Sequence, residues 1–82
     1  MAAWTEEGGA LAKDFRFADF AEALAFVNRV GALAEAAGHH PDIDIRWNVV
    51  TLRLSTHSEG SVVTDKDRDL SARIDGIDGG GS

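Results

Sequence analysis

The segment from Asp19 to Gly38 constrains this chain most, because it carries a helix's punctuation at both ends and strand-like alternation on both sides. Asp19 can cap a helix, and Glu22 follows at the three-residue spacing of a capping box. Gly38 offers the left-handed residue at which helices commonly stop. Between them, Phe20, Leu24, Val27, Gly31 and Ala34 fall on one stripe; Ala23, Phe26, Val30, Leu33 and Ala37 form the stripe beside it. The spacing predicts a helix over Asp19–Ala37. Its apolar arc is wider than packing on one sheet requires, so a second contact, such as another subunit, is expected.

The flanks read as hairpins. Trp4 to Phe17 carries a Gly8-Gly9 turn, then a run whose inner face is Leu11, Phe15 and Phe17, with Lys13 breaking the pattern. After a loop stiffened by Pro41, Ile43, Ile45 and Trp47 alternate with Asp44 and Arg46, as in a half-buried strand. Asn48-Val49 is the expected turn, and Val50, Leu52 and Leu54 alternate beyond it. Thr64 with Asp67 three residues on marks a helix start, with Leu70, Ile74 and Ile77 as its apolar face. The Gly-rich stretch 76–82 is expected to be a disordered tail, Gly79-Gly80-Gly81-Ser82 having the composition of a linker. The order ββαββα predicts one α+β domain over residues 1–75: a two-layer fold, with a four-stranded antiparallel sheet and both helices on one face.

Composition narrows the function. Eighty-two residues make one small domain, marginal as a lone monomer. There is no cysteine, which suits a reducing compartment. No apolar run approaches a membrane span, so a cytoplasmic protein without membrane contact is expected. Fourteen acids against eight bases give a net charge of −6, which disfavours direct nucleic-acid binding.

All three histidines, His39, His40 and His57, fall within nineteen residues, each at the expected end of an element. Asp67 lies in the first turn of the last helix. Imidazole titrates near neutral pH, so such a cluster suits proton transfer or metal binding. Asp67 can orient one of the rings. Taken singly, each residue also has an ordinary reading: a surface histidine, a capping aspartate, a core Trp47, a solvated Glu35. Three imidazoles are also a possible zinc set, although neighbouring loop histidines lack the i, i+4 geometry of a helical pair. Neither Ser55 nor Ser58 has a nucleophile-elbow context, and no Gly-rich loop opens a helix to cradle phosphate.

The order Glu35-x3-His39-His40-Pro41-x5-Trp47-x9-His57-x9-Asp67 resembles the signature of the pterin-4a-carbinolamine dehydratases. Trp4, Phe15-Arg16-Phe17, Phe20, Ala23, Phe26 and Leu52 to His57 extend the likeness over roughly residues 4 to 75. Two positions depart. Gly38 stands where members commonly have Asn, and only Met1-Ala2-Ala3 precede Trp4, where members usually have a further helix. A short member lacking that helix is therefore expected. The resemblance implies a lyase that uses no metal or other cofactor and dehydrates 4a-hydroxytetrahydropterin to quinonoid dihydropterin. It implies catalytic His39, His40, His57 and Asp67, with Glu35, Pro41 and Trp47 binding the pterin. His39 and His57 would transfer protons from opposite sides, His40 would orient the pterin, Asp67 would orient a histidine, and Trp47 would wall the pocket. It further implies a homodimer or homotetramer joined through sheet edges. The alternative is a non-catalytic interaction protein, a coactivator or assembly factor of the same fold.

Overall fold

A computed structural model describes residues 4–56, 60 and 62–81. The elements are β1 (Thr5–Glu7), β2 (Ala10–Arg16), α1 (Phe20–Ala37), β3 (Asp42–Arg46), β4 (Val49–Leu54) and α2 (Asp65–Gly81). The strands form one sheet in the order β1-β2-β4-β3, and every neighbouring pair is antiparallel. This is the ββαββα α+β architecture the alternation predicts. Because β4 pairs antiparallel with both β2 and β3, those two strands run the same way, and α1 is the crossover between them.

The first hairpin turns where the glycines require it. Gly8 and Gly9 have φ of 60° and 79°, the doubly positive geometry of a tight hairpin turn, and Glu7 pairs with Ala10 across it. The second hairpin differs from expectation by one residue. Arg46 pairs with Val49, so the turn is Trp47-Asn48 and Val49 already belongs to β4. Trp47 has φ 55°, a conformation that a bulky side chain rarely adopts. Asn48 pins the turn to the end of β2: its side-chain amide donates to the Phe17 carbonyl at 2.8 Å, and its own carbonyl accepts from the Phe17 N–H at 2.8 Å.

Leu11, Lys13 and Phe15 stand opposite Leu54, Leu52 and Val50 in the register, so one sheet face is apolar except at Lys13. Both helices cover that face, and Ala23, Phe26 and Val30 of α1 meet Leu70 and Ile74 of α2 over it in one core. The opposite face carries Asp14, Arg16, Thr51 and Arg53 from the central pair. Lys13 lies inward but is not stranded: its Nζ is 2.8 Å from Asp75 Oδ1 of α2, and 4.8 Å from the centre of the Phe15 ring.

Neither α1 stripe is buried along its whole length. Ala23, Phe26, Val30 and Ala34 are buried, whereas Phe20 and Leu24 remain 49% and 42% exposed. A Cβ built on Gly31 would meet nothing within 4 Å, so no other part of the described chain packs closely there. The wide apolar arc therefore leaves its Phe20–Leu24 end uncovered within a single chain. Edge strand β3 is also more open than its alternation suggests, with Ile43 41% exposed. Helix α2 runs past Asp75, where the glycine content predicts it to stop, because Ile77 still packs against the core one turn beyond Ile74. No helix among the described residues is long and apolar enough to cross a membrane.

Candidate active site

The end of α1 aims the two histidines. Gly38 adopts φ 64°, its N–H bonds the Glu35 carbonyl, and the N–H of His39 reaches back to the Ala34 carbonyl at 3.1 Å. This pair of bonds is the Schellman pattern, which closes the helix and fixes the direction in which the chain leaves. His39 is carried towards the start of α2, where Asp67 waits in the first helical turn.

Asp67 is wholly buried, with both carboxylate oxygens engaged. Oδ1 is 2.5 Å from His39 Nε2. Oδ2 accepts from the Thr56 hydroxyl at 2.8 Å and from the Thr64 N–H at 2.9 Å. The Thr64 contact is the backward arm of a capping box, so the helix-start reading of Asp67 is correct for one oxygen. The other oxygen holds the imidazole. Burial alone would push the Asp67 carboxyl above the ordinary range; the hydrogen bonds from His39, Thr64 and Thr56, with the field of His39, outweigh it and hold the carboxyl below. The group is therefore an ionised acceptor at neutral pH, and His39 Nε2 is the donor. With Nε2 committed, Nδ1 is the ring nitrogen on which proton transfer can occur.

His40 turns the other way, towards solvent. Its Nε2 lies 2.5 Å from Glu35 Oε2, and the two side chains are 62% and 78% exposed. An ion pair this open is worth little to stability. It does join two residues that the sequence pattern singled out separately. Pro41 is half-buried immediately before β3.

Trp47 is not brought to His39 and His40. It lies at the far end of β3, six residues past Pro41, which along an extended strand is about 20 Å. It is also 62% exposed, so it is neither core nor a wall beside His39 within one chain. The physical reason is the turn: Trp47 leaves the strand's alternation at a positive φ instead of continuing it inward. His57, the third histidine of the pattern, lies outside the described residues. Among the described residues, no group of three or more His, Asp or Glu side chains is gathered as a metal site.

Spacing alone did not single out Thr56. It follows Val50, Leu52 and Leu54 at the strand's two-residue period and is 2% exposed. A hydroxyl at the next inward position of such a face must find a polar partner, and that requirement was the available signal.

The fold is thus an α+β domain that sets a helix-end histidine against a buried aspartate. The chain belongs to the pterin 4 alpha carbinolamine dehydratase family, whose model matches residues 1–77. A protein of Roseiflexus castenholzii, provisionally named a pterin-4-alpha-carbinolamine dehydratase, is 56% identical over 77 residues, covering 94% of this chain and 82% of that protein. A protein of Mycolicibacterium vanbaalenii with the same provisional name is 50% identical over 74 residues, covering 90% and 78%. Among solved structures, a transcriptional coactivator/pterin dehydratase from Brucella melitensis superposes with a TM-score of 0.84 at 32% identity, covering 90% of this chain and 80% of that one. A pterin dehydratase-like protein identified as a RuBisCO assembly factor in the alpha-carboxysome gives a TM-score of 0.80 at 31% identity, covering 95% and 92%.

Proposed function

We propose that this chain is a hydro-lyase that removes water from 4a-hydroxytetrahydropterin to give quinonoid dihydropterin. The observation that carries the reading is the buried His39–Asp67 pair, in which an ionised carboxylate fixes one imidazole nitrogen and leaves the other for chemistry. In the elimination the C4a–O bond breaks, the leaving hydroxyl takes a proton, and N5 gives one up as the C4a=N5 bond forms. An imidazole suits either transfer near neutral pH, at about 10²–10⁴-fold for a positioned group. His39 is assigned one transfer and His57 the other. The His40–Glu35 pair, with Pro41, is assigned to binding and orienting the pterin. The reaction as written asks for no metal or redox cofactor. Trp47, if it touches substrate, does so as part of an assembly and not beside its own chain's His39.

The same reading places the protein in the cytoplasm, where it would regenerate the pterin used by hydroxylases, as a homodimer or homotetramer. The uncovered Phe20–Leu24 stripe and the open edge of β3 support self-association. A second reading, a non-catalytic interaction protein, draws on that same stripe and on the names of the two structural relatives. Dehydratase assay on pterin carbinolamine separates the two. Wild-type turnover that falls at least a hundredfold in His39→Ala supports the enzyme; a wild type no faster than the uncatalysed reaction refutes it.

A further inference from the structure

The hydroxyl chain behind Asp67 is more than helix capping requires. The Thr64 N–H to Asp67 Oδ2 bond at 2.9 Å already satisfies the box. Yet Thr56, from a different element, adds a second donor to the same oxygen at 2.8 Å, and its Oγ1 lies 2.7 Å from Thr64 Oγ1. The proton positions follow from the acceptor at the end. Ionised Asp67 can only accept, so the Thr56 hydroxyl donates to it. Thr56 has then spent its one proton, so Thr64 donates to Thr56. The Thr64 oxygen in turn accepts from the Lys66 N–H at 3.3 Å. Thr56 is itself fixed, since its backbone N–H bonds the Val62 carbonyl at 2.9 Å and its side chain is buried. Each hydroxyl has one arrangement open to it, and the chain ends on the oxygen opposite the one that holds His39.

We propose that Thr56, backed by Thr64, is a positioning residue for His39, fixing the Asp67 carboxylate in the orientation that presents Oδ1 to His39 Nε2. Without the two hydroxyls, Oδ2 would keep one backbone donor and the carboxylate could turn about its own bond. His39 would then lose the fixed partner that assigns its ring nitrogens. Among the described residues, the groups on this carboxylate are His39 from the turn after α1, Thr56 from just past β4 and Thr64 from just before α2, and of these His39 is the ionisable one.

The test compares Thr56→Val, which keeps the shape and deletes the hydroxyl, with Thr56→Ser, which keeps the hydroxyl. The kinetic half rests on the dehydratase reading; the spectroscopic half does not. In a 13C titration of the Asp67 carboxyl, Thr56→Val should move the midpoint up by about one pH unit, and Thr56→Ser should leave it in place. Ser71→Ala removes a buried hydroxyl of the same helix that bonds the Arg68 carbonyl, and should not move it. In the dehydratase assay, Thr56→Val should lower kcat about ten- to a hundredfold with little change in KM, and Thr56→Ser should recover most of it. An unmoved midpoint in Thr56→Val, or a loss in Thr56→Ser as deep as in Thr56→Val, overturns the proposal. If Thr56→Val does not fold, Thr64→Val reads the same midpoint one link further out; a smaller upward move supports the chain and none refutes it. If the wild-type protein has no dehydratase activity, the function fails on its own and the midpoints still decide the positioning.

Discussion

Lys13 is the residue that a pattern of apolar alternation would reject, so removing its partner is an exacting perturbation of the fold. Its side chain is 12% exposed, with Asp75, 43% exposed, at 2.8 Å. The same carboxylate accepts from the Trp4 indole N–H at 3.0 and 3.1 Å, so it ties both Trp4 and β2 to α2. Asp75→Asn keeps an acceptor and removes the charge. Breaking a fully buried pair costs about 3–5 kcal/mol, and an exposed one about 0–1 kcal/mol. With one partner nearly buried and the other half in water, about 1–2 kcal/mol is expected. Asp75→Ala also leaves the indole N–H without its acceptor, adding about 1 kcal/mol, while alanine's helix preference returns about 0.5 kcal/mol. The net is about 2 kcal/mol, or roughly 8–16 °C in Tm for a domain of this size. Thermal melts at pH 7 measure it. The double variant Lys13→Met/Asp75→Leu should recover most of the loss, because neither charge then lacks a partner. If Asp75→Ala melts within 2 °C of wild type, or if the double variant loses the sum of the two singles, Lys13 is held by the Trp4 and Phe15 rings and the pairing argument is wrong.

Other expectations follow from the same geometry. Phe26 is fully buried, its ring 4.7 Å from that of Phe15 and 5.0 Å from that of Phe17, so Phe26→Ala should cost about 3–5 kcal/mol in chemical denaturation and Phe26→Leu clearly less. The Asp67 carboxyl is held below its ordinary value of 3.8 in the folded protein, so it contributes stability above that pH and loses it as pH falls through the lower folded value. The stability gap between wild type and Asp67→Asn should therefore be full at pH 7 and shrink progressively below about pH 4; a gap that widens in acid would reverse the sign. If a second copy covers the Phe20–Leu24 stripe, light scattering coupled to size exclusion should find a dimer or tetramer at micromolar concentration and a smaller species for Leu24→Glu; a folded wild-type monomer removes the oligomer. Trp47→Gly should relieve the positive φ and stabilise an isolated chain by about 1 kcal/mol, read as a raised Tm; a loss would show that the exposed indole is buried in an assembly.

The fold was legible where residue chemistry acts locally. Asp19 accepts from the Glu22 N–H at 2.9 Å, Gly38 takes the left-handed conformation, and Gly8-Gly9 turns the first hairpin, all as their side chains, or lack of them, dictate. One detail of the cap differs: the Glu22 carboxylate reaches the Ala18 N–H at 3.3 Å, one residue earlier than a strict box. The second hairpin was not legible because its alternation continues through Trp47, and an aromatic residue gives no warning of a positive φ. The tertiary bond that fixes that turn, Asn48 to Phe17, spans thirty-one residues and leaves no local trace. Helix α2 outlasts its glycines for a related reason, since burial of Ile77 against the core outweighs the weak helix preference of the stretch.

The site was legible to a different depth. Spacing brought His39 and Asp67 under suspicion together, and a single short bond joins them. Spacing also grouped Trp47 with them, yet one strand length separates it from His39. A linear signature therefore mixes residues that make the site with residues that shape the scaffold, and nothing in the pattern labels which is which. What separates them is the demand each position makes. Trp47 stands where a chain must turn, and the turn is satisfied by Asn48. Asp67 sits where no ionised group is tolerated without donors, and among the described residues it has three, from three segments of the chain. A carboxylate in full burial is costly unless each oxygen is met, and here one oxygen is met twice from behind so that the other can be aimed. That asymmetry is the strongest physical argument that Asp67 is there to hold His39, because capping alone would have been served by an exposed aspartate.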